Sequence, residues 1–216
     1  MKTAKKNPSY LYSFLLLLCF GVFLYVFLAV NNGNELSWET PIQSFFLEWN
    51  KGVSHSFFVV ITEFGSKTVI GIGSLLLLAY LWIFKKNYVA MAIVVLAVAG
   101  GDQLNKFIKK MVERERPAID ASIDALGYSF PSGHAMVGII FYTVIAYFLT
   151  QGMKSQSVKA FIWVTAYMMV VLVGISRIVL SAHYPSDIIG GYALGGLFVL
   201  SCLKAYQELY TFMNKA

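Results

Sequence analysis

Charge is scarce in this chain. Asp, Glu, Lys and Arg make up only 13% of its 216 residues, about half the share of a water-soluble domain, and this excludes a soluble fold with a charged surface. Cysteine is scarcer still. Cys19 and Cys202 are the only two, each inside a long apolar run, so the chain offers neither a Cys-rich metal site nor a disulfide framework. Both read as small buried hydrophobes. Repeats, low-complexity tracts and linkers are also missing, which argues against a multi-domain chain.

Apolar residues fill the space that charge leaves. Hydrophobic side chains account for 58% of the sequence and aromatics for 16%, and the mean hydropathy is +0.67. Runs long enough to cross a bilayer, about 20 residues each, occur at about 10–30, 66–84, 88–106, 132–150, 158–176 and 186–205. The first follows Lys2, Lys5 and Lys6 as a signal peptide would, but no small-x-small cleavage site comes after it, so it reads as a retained span. Between the first two runs, residues 31–51 mix Trp38, Phe45, Phe46 and Trp49 with Glu39, Glu48 and Asn50. That composition suits a short helix at headgroup level. The expected fold is all-α: a polytopic membrane protein, one six-transmembrane-helix bundle over residues 1–216, with a short interfacial helix after the first span.

The net charge of +6 is read as topology and anionic headgroups rather than nucleic acid. Six spans put both termini on one side, together with Lys2, Lys5, Lys6, Lys85, Lys86, Lys154, Lys159, Lys204 and Lys215. By the positive-inside rule that side is the cytoplasm. Eight cations fall on the other side, and five of them crowd into Lys106, Lys109, Lys110, Arg114 and Arg116. Ten of the eleven acids, all but Glu208, lie on or near that side as well. A cation cluster on the unfavoured side needs a local reason, and anion binding supplies one.

The ends of four spans on that side carry the polar residues. The third ends in Lys109 and runs on to Arg116-Pro117. The fourth begins Pro131-Ser132-Gly133-His134, the fifth ends Ser176-Arg177, and His183 precedes the sixth with Asp187 in its first turn. Antiparallel neighbours bring such ends to one membrane face. Arg116 and Arg177 are planar forks matched to phosphate oxygens, and Lys109 adds a point charge. Ser132 stands at an N-cap position, where free backbone N–H groups and the helix dipole favour an anion, and Gly133 lets a ligand come close. Such a cradle neutralises a phosphoryl transition state. The two histidines divide into a nucleophile, His183, whose tautomer Asp187 fixes, and a proton donor, His134.

Bland readings compete at single positions. Lys106, Lys110 and Arg114 read as interfacial anchors, Asp102 as an ion-pair partner of Lys106, and Gly191 with Gly195 as a helix-packing pair. A metal site is disfavoured because the surrounding Lys and Arg repel a cation. What outweighs the bland readings is their coincidence at four separate helix ends.

The pattern Lys109-x6-Arg116-Pro117, Pro131-Ser132-Gly133-His134 and Ser176-Arg177-x5-His183-x3-Asp187 resembles the three-part signature of the type 2 phosphatidic acid phosphatase superfamily. The resemblance covers about residues 66–205 and departs at no signature position. It implies a metal-independent membrane phosphatase without a cofactor, acting through a phosphohistidine at His183. Asp187 would orient that histidine, His134 would serve as general acid, and Lys109, Arg116, Ser132, Gly133 and Arg177 would hold the phosphate. The substrate it implies is a membrane lipid mono- or diphosphate, such as phosphatidylglycerophosphate, phosphatidic acid or undecaprenyl pyrophosphate, met at the extracytoplasmic face of the cell membrane. Two alternatives share parts of the pattern: a non-catalytic lipid or phosphate transporter, and a vanadate-binding haloperoxidase-like protein.

Overall fold

In the computed structural model the described residues are 8–33, 36–117 and 127–213, and among them there are helices and no strands. Lys2, Lys5, Lys6 and Lys215 lie outside the described residues. In chain order come α1 (Pro8–Asn31), α2 (Glu39–Leu47), α3 (Gly52–Glu63), α4 (Lys67–Tyr80), α5 (Tyr88–Val112), α6 (Gly133–Thr150), α7 (Gln156–Val179) and α8 (Pro185–Met213), with α4 running on into a π-helical turn at Leu81–Lys85. Six of these are long and apolar enough to cross a membrane. At about 1.5 Å per residue, even the 18 residues of α6 nearly match a hydrocarbon core about 30 Å thick.

The starts of these spans are written locally. Ser66, Asn87, Ser132 and Ser155 each accept a hydrogen bond from the backbone N–H three residues on, at 2.9–3.4 Å, satisfying one of the donors that a helix start leaves orphaned. Two spans outrun the apolar pattern. α5 continues past Lys106 to Val112 and α8 past 205 to Met213, because the polar residues there are good helix formers and no breaker intervenes.

Between the first and second spans stand two helices where one was expected. α2 falls within the anticipated stretch, but α3 was not anticipated. A left-handed Gly52 (φ 54°) opens α3, and its apolar run Phe57–Ile61 is too short to register as a span. Instead Phe58 packs on Val179 and Leu180 at the end of α7.

α6 and α8 form the centre. Met136, Ile140, Val144 and Phe148, one turn apart along α6, pack with Leu194, Val199 and Leu203 of α8 and with Ala90, Ile93, Val94 and Ala97 of α5. The two central helices meet along the glycine pair read from the sequence. A Cβ on Gly191 would come within 2.9 Å of the Ser132 carbonyl oxygen, and one on Gly195 within 2.5 Å of the Met136 carbonyl oxygen. α1 is peripheral, with Tyr10, Leu11, Phe14 and Leu17 exposed, as a lipid-facing helix requires.

Candidate active site

The end of α5 sets the first part of the site. Glu113 takes a left-handed conformation (φ 50°) and caps the helix by donating its N–H to the Lys109 carbonyl, which turns the chain sharply after Val112. Lys109 itself donates from Nζ to the Tyr128 and Ser129 carbonyls. Beyond the turn, Arg116 donates from Nε to the Gly127 carbonyl at 2.8 Å and from Nη1 to the Ala182 carbonyl at 2.7 Å.

Arg116 Nη1 also lies 3.1 Å from His183 Nε2. A guanidinium only donates, so Nε2 is the acceptor and carries the lone pair, while the ring proton belongs on Nδ1. That nitrogen lies 3.3 Å from Asp187 Oδ2. Burial, opposed by Asp187 and reinforced by the charges of Arg177 and Arg116, pushes the His183 imidazole down to about 3. The ring is therefore held neutral, with the Nε2 lone pair on the side of Arg116. Burial also lowers Arg116, against the pull of Asp187.

The start of α6 forms the second part of the site. The Ser132 N–H donates to the Asp187 carbonyl at 3.0 Å, tying the α6 start to that of α8. Asn105, buried on α5, donates to the Pro131 carbonyl at 3.1 Å, and its Oδ1 would lie 3.2 Å from a Cβ on Gly133. His134 follows on the same turn, and Gly65 leaves it room, since a Cβ there would meet His134 Cδ2 at 2.9 Å. From α7, Arg177 donates through Nη1 to Thr62 Oγ1 at 2.7 Å. Its Nε is buried with no hydrogen-bond partner among the described residues. A buried guanidinium donor of this kind can only donate, so any partner it takes is an acceptor.

Six of the eight residues singled out from the sequence, Lys109, Arg116, Gly133, His134, Arg177 and His183, line one cavity of about 830 Å³. Ser132 and Asp187 stand behind that wall, fully buried. The cavity continues down between α4 and α5, past Asp102 and Ser74 to Leu78 and Val94, so a polar head and an apolar shaft share one space. The Asp102–Lys106 pair expected from its i,i+4 spacing forms at 2.5 Å.

Arg114 is not the interfacial anchor that its place at a span end suggested. Its side chain is largely buried, and it pairs with Asp187 Oδ1 at 2.8 Å and with Glu39 Oε2 at 3.0 Å. Burial would lower its guanidinium, but Asp187 and Glu39 outweigh that and raise it. Glu39, Ser129, Ser186, Asn105 and Thr62 also enter the site's bonding. The capping and packing signals used on the sequence single out none of them, because each acts on a partner distant in the chain.

Residues 88–210 match the PAP2 superfamily. The chain belongs to that family. Phosphatidylglycerophosphatase B of Bacillus subtilis is 36% identical over 132 residues, 60% of this chain and 64% of that protein; the alignment thus spans less than two thirds of the relative's length. The crystal structure of a transmembrane PAP2-type phosphatidylglycerolphosphate phosphatase from Bacillus subtilis superposes with a TM-score of 0.75 at 27% identity, covering 88% of this chain and 96% of that one. LpxE from Aquifex aeolicus shares the fold, with a TM-score of 0.63 at 23% identity over 79% of this chain and 97% of that one. The PAP2 match includes all eight residues described above, from Lys109 on α5 to Asp187 on α8.

Proposed function

We propose that the chain is an integral-membrane lipid phosphatase that removes the terminal phosphate of lipid mono- or diphosphates through a phosphohistidine at His183. The observation that carries this reading is the orientation of His183: Nε2 faces the cavity among cations while Nδ1 faces Asp187. Arg116, Arg177, Lys109 and the N–H groups at the start of α6 neutralise the three phosphoryl oxygens. Arg116 Nη1 exchanges the imidazole for a phosphate oxygen as substrate arrives, releasing the lone pair. Nε2 then forms the N–P bond as the P–O bond to the leaving group breaks, an ester bond in a monophosphate and an anhydride bond in a diphosphate, and His134 donates the proton that the leaving oxygen takes up. In the second step water attacks phosphorus as the N–P bond breaks, His134 accepts the water's proton, and inorganic phosphate leaves with the Nε2 lone pair restored. Asp187 stays ionised throughout and offsets the charge that the ring acquires.

The shaft between α4 and α5 supports a substrate whose tail stays in the bilayer while its phosphate reaches the cradle. Tethering of that kind replaces a bimolecular encounter by a positioned one. Phosphatidylglycerophosphate, phosphatidic acid and undecaprenyl pyrophosphate are the substrates proposed. The termini are assigned to the cytoplasm and the site to the outer face of the cell membrane, from the side on which Lys85 and Lys86 fall. Asp120, the natural labelling position in the signature loop, lies outside the described residues, so the topology is tested by cysteines at Lys51 and Lys86. An impermeant thiol reagent should modify only the former in whole cells, and modification of position 86 alone reverses the assignment.

The decisive experiment measures phosphate release from these three lipids and from a water-soluble sugar phosphate in matched micelles with excess EDTA. Release should persist in EDTA, favour the lipids markedly and vanish in His183→Ala together with the acid-labile phosphoenzyme. A sugar phosphate turned over as efficiently as the lipids would sink the lipid reading, and activity restored only by added metal would sink the assignment of roles to Lys109, Arg116 and Arg177.

A further inference from the structure

We infer that Arg114 and Glu39, which belong to neither the three-part signature nor the cavity wall, are positioning residues that hold the Asp187 carboxylate ionised and aimed at His183. The inference rests on the nucleophile assignment above.

Asp187 is 0% exposed, and a carboxylate so buried persists in charged form only if it is paired and its lone pairs are satisfied. Oδ2 accepts from the Ser129 hydroxyl, from the Tyr184 N–H at 2.9 Å and from His183 Nδ1 at 3.3 Å. All three donors are neutral while His183 is neutral. The compensating cation is Arg114, whose Nη1 donates to the other oxygen, Oδ1, at 2.8 Å. Occupying Oδ1 leaves Oδ2 turned toward the imidazole. This matters because the ring gains positive charge when Nε2 bonds to phosphorus, and the carboxylate beside Nδ1–H must still be an anion at that moment.

Arg114 is in turn held on three sides. Nη2 donates to Glu39 Oε1 and Oε2 at 3.2 and 3.0 Å, Nη1 donates to Ser186 Oγ at 2.7 Å, and Ser186 donates to Glu39. The Tyr184 ring lies under the guanidinium, 4.0 Å from its centroid, where a cation is attracted to the π face. Both arms of the fork are used, one on the catalytic side and one on α2. A lysine, with a single point charge, cannot bridge the two carboxylates in this geometry. Glu39 is the first residue of α2 and is only 6% exposed, so the short helix after the first span is bonded directly into the apparatus that orients the nucleophile. Neither Arg114 nor Glu39 faces the cavity, so neither touches substrate and their effect falls on the chemical step rather than on binding.

The test compares purified full-length wild type with Arg114→Gln, Arg114→Lys, Glu39→Gln and the Arg114→Gln/Glu39→Gln pair, using phosphatidic acid in detergent micelles and reading kcat, KM, the pH profile and quenched phosphohistidine. Arg114→Gln should lower kcat by about tenfold or more with KM little changed. It should also move the acidic fall-off to higher pH. With the Arg114 charge gone, the buried Asp187 carboxylate is left uncompensated and takes up a proton at higher pH, so the anion beside Nδ1–H is lost earlier on the acid side. Arg114→Lys should restore the acidic limb and part of the rate. Glu39→Gln should cost several-fold in kcat at constant KM, and the pair should be no worse than Arg114→Gln alone, as expected of residues acting through one another. Should Arg114→Gln fail to fold, Arg114→Lys and Glu39→Gln carry the comparison. An unchanged pH profile with losses spread over kcat and KM would reduce the pair to a structural brace and overturn the proposal. A wild type that forms no phosphohistidine overturns the nucleophile assignment and this proposal with it, whereas phosphohistidine in the wild type with unaltered variants overturns this proposal alone.

Discussion

The two ends of the bundle solve the same problem in different currencies. At the end away from the site, neutral groups close the structure: Asn87 caps α5 and donates to the Tyr206 hydroxyl at 2.8 Å, and Tyr206 reaches Gln151 at 3.4 Å and stacks edge-on against Phe148. At the site end, Glu39, Arg114, Asp187, Arg177 and His183 are all buried or nearly so, and one Arg177 donor has no partner among the described residues. Neutral hydrogen bonds contribute modestly and safely to stability. Clustered buried charge costs desolvation and mutual repulsion unless something compensates it. One end closes on neutral groups; the other concentrates buried charge, which on the proposed function receives an anion at the expense of stability.

The largest break in that contrast should come from Arg177→Met, which keeps an apolar stem and removes the charge. Activity toward any substrate should fall by about 100-fold or more, the scale for losing one donor to a developing anion, while Tm in detergent stays level or rises, because a cation repelled by its neighbours has gone. A fall in Tm of several degrees accompanying the loss would mean that the site end is stabilised by its charges after all.

His183 sharpens the comparison next. Its imidazole is held near 3 chiefly by burial, against about 6.5 for a free histidine. The proton that an exposed histidine gains as the pH falls through 6.5 should therefore be refused here until far more acidic conditions. Ring nitrogen NMR of the labelled protein should show Nε2 unprotonated and unchanging between pH 7.5 and 5. A titration centred near 6.5 would show the ring to be solvated and the burial argument to be wrong.

The smallest effect is expected at the other end. Tyr206→Phe removes a hydroxyl shared between Asn87 and Gln151 and should cost about 1 kcal/mol of stability with kcat/KM within twofold of wild type. A large loss of activity there would mean that the two ends are coupled and cannot be treated as separate devices.

Much of the site end was legible in the sequence because its residues sit in short local patterns. Pro131 to His134 is a cap followed by an apolar helix, and His183 to Asp187 is one helical turn, so type and spacing alone suggest what each does. The spans were legible from apolar length. α3 was not, since a 12-residue helix with a five-residue apolar core looks like neither a span nor a polar loop. Arg114 was misread for a different reason. It stands two residues before Arg116, yet its fork points to Glu39 on α2 while Arg116 points to His183, and nothing in a one-dimensional pattern separates two arginines so close together. Partners 75 residues apart are brought together by packing, and packing carries no local signature.

The glycine seam between α6 and α8 acts as a ruler. With the Gly191 Cα close to the Ser132 carbonyl and the Ser132 N–H bonded to the Asp187 carbonyl, the spacing between the start of α6 and the start of α8 is set by main chain rather than by side chains. The walls of the apolar shaft on α4 and α5 take no part in that measurement. On the proposed function, the phosphate site and the tail-binding shaft are therefore separable: replacing Leu78 or Val95 with residues of other sizes is a route to altered tail tolerance that leaves the α6–α8 spacing in register.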